Sequence, residues 1–120
     1  MRFLSMIRIN ERAGQKPSAQ LMEDMGKLMV EMTAAGSLLD TAGLRPTAEG
    51  KLVRLSRGRQ TVTDGPFTEA KEVIGGYAML QADSIDEALA LVRRFLDVHG
   101  DEWEIECELR QVMGNCDNAA

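Results

Sequence analysis

Apolar side chains alternate with a period of two in several segments, and this pattern predicts the strands of a sheet. Residues 3–9 and 72–82 are apolar in both phases of the repeat. Because a strand that is apolar on both faces lies inside a sheet, we predict that these two segments are neighbouring central strands. In residues 103–110 the odd positions are apolar and the even positions are charged, which predicts an amphipathic last strand with a buried, unreactive Cys107.

Apolar residues at three- and four-residue steps predict two helices. The first follows Pro17 and Ser18 and ends at Gly36, and its apolar stripe is rich in methionine. Such a stripe is either core or an adaptable binding surface, because thioethers fit varied partners, and we interpret it as core. The second helix begins at the capping box Ser84–Glu87 and ends at His99–Gly100.

A short strand at residues 37–44 and a hairpin complete the pattern. The hairpin strands, residues 51–56 and 59–63, meet at the turn Arg57–Gly58. The resulting order predicts an α+β fold, a ferredoxin-like split βαβ unit with an inserted β-hairpin. Right-handed crossovers place both helices on one face of the sheet. The other face is also apolar, so we predict a homodimer whose sheets pack face to face.

Composition narrows the class of protein. The chain has 120 residues, with 14 Lys and Arg against 19 Asp and Glu, and a net charge of −5. We predict one domain at residues 1–112 and a flexible tail at residues 113–120. The acidic balance argues against nucleic-acid binding. With neither a secretory signal pattern nor a membrane-spanning apolar run, we predict a cytoplasmic protein that binds no membrane.

Residues 61–72 stand out because a turn precedes several ionisable side chains. Asp64, Gly65, Pro66 and Phe67 can form a rigid loop with an apolar anchor. The two glycines at 75 and 76, inside the following strand, would permit the close approach of another backbone or of a ligand. The residues alone leave two interpretations open, a well-made turn followed by a β-bulge, or a binding site.

The run Val62–Glu72, followed by Ile74–Tyr77, resembles the signature of the DGPF group of YCII-related proteins. The similarity extends to Gly43–Pro46 and Glu106–Arg110 and covers nearly all of residues 1–112. The resemblance implies a ferredoxin-like fold that forms a dimeric α+β barrel-type assembly. It also implies a small bacterial cytoplasmic protein without an established reaction, in a family where some relatives accompany extracytoplasmic-function sigma factors.

The resemblance further implies a His and Asp pair in a cleft, which makes Asp64 and His99 the catalytic candidates. His99 is the only histidine in the chain, and it does not lie beside the motif. Its position before Gly100 equally fits a favourable charge at a helix C-terminus. For Asp64, we expect that apolar neighbours would raise the carboxyl pKa and suit it to act as a base or to hold a ligand donor.

Two functional hypotheses remain. The first is a protein that binds a small molecule in a cleft at the dimer interface, as a cofactor-free isomerase, lyase or dehydratase. The residues predicted to bind the ligand are Arg45, Asp64, Gly65, Pro66, Phe67, Lys71, Gly75, Gly76 and Tyr77. Arg45 could instead pair with one of the chain's own carboxylates. The second hypothesis is a non-catalytic regulatory module that binds a partner such as a sigma factor. We predict neither a metal nor a cofactor, because the metal-ligand and nucleotide-binding motifs are missing.

Overall fold

The computed structural model describes residues 1–66, 72–101 and 103–114. Within these ranges six strands and two α-helices follow one another in the predicted order. Their bounds are β1 Arg2–Ile9, α1 Ala19–Ala34, β2 Leu38–Gly43, β3 Lys51–Ser56, β4 Arg59–Asp64, β5 Val73–Gln81, α2 Ile85–His99 and β6 Glu106–Gln111. Two short 3-10 turns, Glu11–Ala13 and Thr47–Glu49, lie in the connecting loops.

The sheet topology confirms the predicted fold class. Four strands form an antiparallel sheet in the order β2-β5-β1-β6, so the two segments predicted as central are neighbours inside it. This is the strand order of a ferredoxin-like α+β domain. Strands β3 and β4 form a separate two-stranded sheet. Arg57 and Gly58 both have positive φ angles at its turn, as a two-residue hairpin turn requires.

The last strand is shorter than its sequence pattern predicts. Residues 103–105 lie outside β6, although they continue its alternation of apolar and charged side chains. The side chain of Gln15 explains this difference, because its amide group bonds the backbone of Glu104. The backbone N–H of Glu104 donates to Gln15 Oε1 at 3.0 Å, and Gln15 Nε2 donates to the Glu104 carbonyl at 3.5 Å. This amide therefore replaces a neighbouring strand at Glu104.

Both helices begin at the serines that the sequence indicated. Ser18 Oγ accepts a hydrogen bond from Leu21 N at 3.1 Å, and Ser84 Oγ accepts one from Glu87 N at 3.2 Å. These bonds satisfy N–H groups that have no partner within the helix. Among the described residues, no helix is long and apolar enough to cross a membrane.

The core lies between the helices and one face of the four-stranded sheet. Its buried residues are Phe3, Leu28, Met32, Leu38, Leu80, Ala82, Ala88 and Val92. The interpretation of the methionine stripe as core is correct for Met32 and wrong for Met22, which is 64% exposed. Met22 lies near the start of α1, where it lines an open groove with His99 and Trp103 instead of facing a strand.

A β-bulge at Gly75 changes which residues share a face of β5. Ile7 pairs with Gly76 and Arg8 pairs with Ile74, so Gly75 is left out of the pairing between β1 and β5. Strict alternation would place Ile74 on the helix-covered face. Because of the extra residue, Ile74 and the residues before it lie on the opposite faces from those that alternation gives.

The other face of the sheet has no helix over it within residues 1–66, 72–101 and 103–114, and we call it the open face. Leu4, Met6, Tyr77 and Met79 alternate with the core residues of β1 and β5 and are half-buried. The residue pairing places Leu4 opposite Met79 and Met6 opposite Tyr77, which makes a continuous apolar stripe. The homodimer that would cover this stripe stays a prediction.

Candidate functional site

The motif loop closes the base of the hairpin. Asp64 is the last residue of β4, and its carboxylate forms an ion pair with Lys51, the first residue of β3. The next residue, Gly65, donates its backbone N–H to the carbonyl of Gly50 at 2.9 Å. Pro66 is exposed and follows a cis peptide bond. Two predicted ligand-binding residues, Phe67 and Lys71, lie outside the described residues.

Gly65 packs directly against the backbone of Thr47. A Cβ atom built on Gly65 would lie 2.7 Å from the Thr47 carbonyl carbon and would overlap its oxygen. Thr47 is itself fixed, because its N–H and its hydroxyl group donate to the two oxygens of Glu11 at 2.8 and 2.7 Å. The glycine of the motif is therefore required by the close approach of two loops.

Two clefts adjoin the segment Leu44–Pro46 on either side. The first has a volume of about 260 Å³ and is also lined by Gln15, Gly75 and Trp103. The second, of about 420 Å³, extends to Lys51, Glu72 and Ile74. The predicted ligand-binding residues Arg45 and Gly75 thus line the same cleft. Asp64 adjoins the second cleft through its ion pair with Lys51.

Arg45 pairs with one of the chain's own carboxylates, which is the second of the two interpretations given for it above. Its Nε and Nη2 atoms donate to the two carboxylate oxygens of Glu49 at 3.2 and 2.9 Å. Its side chain is 83% exposed, and the residue lines both clefts. An exposed pair of this kind contributes little to stability, so a ligand anion could compete with Glu49 for the guanidinium group.

Glu72, which lines the second cleft, forms a carboxyl pair with Glu106. Glu72 forms a side-chain hydrogen bond with Glu106, and this bond, together with the charge of Glu106, raises the pKa of Glu72. Partial desolvation of this exposed side chain and the charge of Glu104 raise the pKa further, whereas Arg8 lowers it. Two carboxyl groups this close disfavour each other's charged form, which is why the pKa of Glu72 moves upward. Such a pair can supply or accept a proton closer to neutral pH than a solvated glutamate.

The bulge brings this pair together. Arg8 lies opposite both Ile74 in β5 and Glu106 in β6, so these three residues share the open face. Glu72 reaches Glu106 on that same side. Arg8 itself donates through Nη2 to Glu108 at 2.5 Å, and its buried Nε atom has no hydrogen-bond partner within the described part of the chain.

The two remaining motif residues in β5 serve the sheet. Tyr77 lies on the open face, where its hydroxyl group donates to Asp40 Oδ2 at 2.8 Å. This hydrogen bond to Asp40, with the charge of that carboxylate, raises the pKa of Tyr77. Gly76 approaches β2 closely, since a Cβ atom there would lie 2.9 Å from the carbonyl oxygen of Ala42. Tyr77 is thus held by Asp40 on the sheet and does not line either cleft.

His99 and Asp64 have separate partners in this structure. His99 Nδ1 lies 2.9 Å from the carbonyl oxygen of Phe95, and its ring makes edge contacts with Phe95 at 4.7 Å and Trp103 at 5.6 Å. It lines a groove of about 410 Å³ beside α1. Because Asp64 pairs with Lys51 at the hairpin, the two residues do not form an acid–base pair here.

The sequence analysis described charged side chains along one face of the last strand, and Glu104 and Glu106 are exposed there, but it did not indicate that Glu72 lies beside Glu106. A signal was present in Arg8, a charged residue within an otherwise apolar central strand, because a half-buried guanidinium needs carboxylate partners. Within residues 1–66, 72–101 and 103–114, no group of three or more His, Cys, Asp or Glu side chains could hold a metal ion.

An antiparallel sheet with two helices on one face and clefts at one end defines a small ferredoxin-like α+β domain. Residues 1–104 match the model of the YCII-related domain, and the chain belongs to that family. Over 74 residues it is 36% identical to an uncharacterized protein of Rhizobium meliloti. That alignment covers 62% of this chain and 60% of the relative, so the chain spans less than two thirds of that protein's length.

Proposed function

We propose that this YCII-related protein binds a small organic anion in the cleft between Leu44–Pro46 and Glu72. The observation that carries this proposal is the set of charges at the second cleft. Two cations, Arg45 and Lys51, line the same cleft as the carboxyl group of Glu72, whose pKa is raised by the neighbouring Glu106. Apolar walls with a few convergent polar groups are typical of small-molecule sites.

The arrangement suits proton transfer without a cofactor. Arg45 and Lys51 would bind the anionic group of the ligand in exchange for Glu49 and Asp64, their present partners. Glu72 would then take a proton from an adjacent carbon atom and return it elsewhere on the ligand. In an isomerase the proton returns to another carbon atom. In a lyase or dehydratase the C–H electrons form a double bond, the bond to the leaving group breaks, and the proton departs with that group, for example as water. The proposed reaction therefore belongs to one of these classes.

The proposal includes a cytoplasmic homodimer. A second copy would cover the apolar stripe of the open face, formed by Leu4, Met6, Tyr77 and Met79. Large exposed apolar patches mark interaction sites, and closed two-fold dimers are the commonest oligomers. Sedimentation velocity over a micromolar concentration series tests this part. A single monomeric species at every concentration would contradict it.

A thermal-shift screen of small carboxylic acids tests the ligand proposal. A ligand that is present at 100 times its Kd stabilises the folded protein by about 2.7 kcal/mol. We expect this stabilisation to be lost in Lys51→Met. It should persist in Glu72→Gln, which removes the proposed base and not an anion-binding cation, and it should be no weaker in Asp64→Asn, which removes the carboxylate that competes with the ligand for Lys51. Lys27→Met is the matched control, because Lys27 also forms an exposed ion pair, with Glu23 on α1.

The outcomes of the screen separate the hypotheses. A ligand that stabilises the wild type, the Lys27→Met variant and the Lys51→Met variant equally would bind outside the second cleft. If no acid in the screen stabilises the wild type, the cleft does not bind this class of ligand. Either result would contradict the proposal.

A regulatory module is the second candidate function, and the exposed hairpin favours it. All residues of β3 and β4 are exposed, which suits a surface that binds another protein such as a sigma factor. Affinity capture from the host tests this candidate. We expect one enriched protein with the wild type and with Asp64→Asn alike, because a binding surface on the hairpin does not need that carboxylate.

A further inference from the structure

Among the described residues, the β3–β4 hairpin forms its own two-stranded sheet, apart from the four-stranded sheet. Its apolar residues Val53, Leu55 and Val62 are 60%, 69% and 62% exposed. Within the described residues, the ion pair that the hairpin forms joins two of its own residues, Lys51 and Asp64. A two-stranded hairpin is marginally stable alone in water, so its exposed apolar side chains indicate a surface that another molecule covers.

The hairpin is basic in an otherwise acidic chain. Residues 51–64 contain four cations and one carboxylate, whereas the whole chain has a net charge of −5. Lys51 forms an ion pair with Asp64. The other three cations, Arg54, Arg57 and Arg59, are exposed and form no ion pair in the part of the chain that the structure describes.

An acidic counterpart lies at one edge of the four-stranded sheet. Glu106 is the first residue of β6 and Glu104 precedes that strand by two residues, and both raise the pKa of Glu72 beside them. Arg8 lowers the pKa of Glu72 and so offsets part of this negative charge, but the ion pairs of Arg8 and Arg110 are both with Glu108. We call Glu72, Glu104 and Glu106 the acidic edge.

We propose that the hairpin is a basic arm that docks on the acidic edge of a second copy of this chain. The inference rests on the proposed homodimer. In the described structure the arm makes no hydrogen bond or ion pair with its own acidic edge, so the complementary charges are free to meet between copies. A two-fold axis would let each arm dock on the other copy, which also brings its arginines near the second cleft.

Charge reversal tests the arm, with sedimentation equilibrium as the measurement. The first variant carries Arg54→Glu, Arg57→Glu and Arg59→Glu, and the second carries Glu104→Lys and Glu106→Lys. We expect each to raise the dimer Kd by about tenfold at an ionic strength of about 50 mM and by less at about 500 mM. The matched control for the first variant carries Lys16→Glu, Lys27→Glu and Arg93→Glu, which makes the same change in net charge as that variant on exposed residues away from the arm.

Mixing the two reversed variants separates docking between copies from docking within one chain. In a mixed dimer each acidic arm meets a basic edge, and each basic arm meets an acidic edge. We therefore expect the mixture to form a heterodimer with a Kd near that of the wild type. The two variants need only remain folded, which circular dichroism checks.

Each outcome decides one point. A wild-type dimer whose Kd does not change in either variant would overturn the arm and leave the proposed homodimer standing. A mixture that fails to form heterodimers would overturn docking between copies. A wild type that is monomeric at every concentration would overturn both the homodimer and the arm.

Discussion

Replacing Gly65 with alanine would test whether the motif glycine is required by packing. The new Cβ atom would overlap the backbone carbonyl group of Thr47, and a backbone group cannot rotate away as a side chain can. If Gly65 moves, its hydrogen bond to Gly50 breaks, at a cost of about 1 kcal/mol. If Thr47 moves, its two hydrogen bonds to the Glu11 carboxylate weaken, and bonds to a charged group contribute about 1.5–3 kcal/mol.

The expected loss in the free energy of unfolding is therefore about 2–3 kcal/mol. For a domain of this size, that loss lowers Tm by roughly 10 °C, which differential scanning calorimetry measures directly. Gly26→Ala is the control, because Gly26 lies within α1 with open space around it. There alanine stabilises the helix by about 0.5–1 kcal/mol. A Gly65→Ala protein that melts within about 2 °C of the wild type would refute the argument from Thr47.

Three further predictions concern stability and reactivity. The folded state raises the pKa of Glu72 above its ordinary value of 4.5, so the folded protein binds this proton more tightly than the unfolded chain. The free energy of unfolding should therefore fall as pH rises from 4.5 through the raised pKa. The Glu72→Gln variant should lack this part of the pH dependence. Thermal melts in which the two proteins keep a constant difference across this pH range would contradict the prediction. Gly75→Ala should lower the free energy of unfolding, because its Cβ atom would lie 2.6 Å from Ile9 Cδ1. In a double-mutant cycle by urea denaturation, most of this loss should disappear when Ile9→Ala is already present. Additive losses would show that the two positions are not coupled. Burial raises the pKa of the Cys107 thiol. In a variant whose other cysteine is replaced by serine, Cys107 should therefore react slowly with a thiol reagent in the native protein and rapidly in urea. Equal rates would mean that this thiol is accessible in the native protein.

The secondary structure could be predicted because local rules determine it here. Ser18 and Ser84 cap the helices that follow them, and Arg57–Gly58 forms the hairpin turn, as their sequence positions indicate. The central places of β1 and β5 followed from strands that are apolar on both faces. Pattern alone failed where a distant side chain replaced strand pairing, as Gln15 does at Glu104.

The site was harder to predict because it depends on residues that are distant in the sequence. The motif lies beside both clefts, since Arg45 and Gly75 line one cleft and Asp64 pairs with Lys51 at the next. The carboxyl pair of Glu72 and Glu106 joins residues that are separated by a helix. Neither the register of β6 nor the bulge in β5 can be derived from the residues of one strand.

The bulge makes the count of residues, and not only their identity, decide where Glu72 points. Gly75 is a supernumerary residue, because the strand pairs on either side of it as if it were not there. A relative that is one residue shorter at this place would keep its glutamate on the open face with an even ladder. A relative of equal length that lost the bulge would turn the same glutamate toward the helices. Whether an odd or an even number of residues separates Glu72 from the paired part of β5 thus decides whether the second cleft contains this carboxyl group.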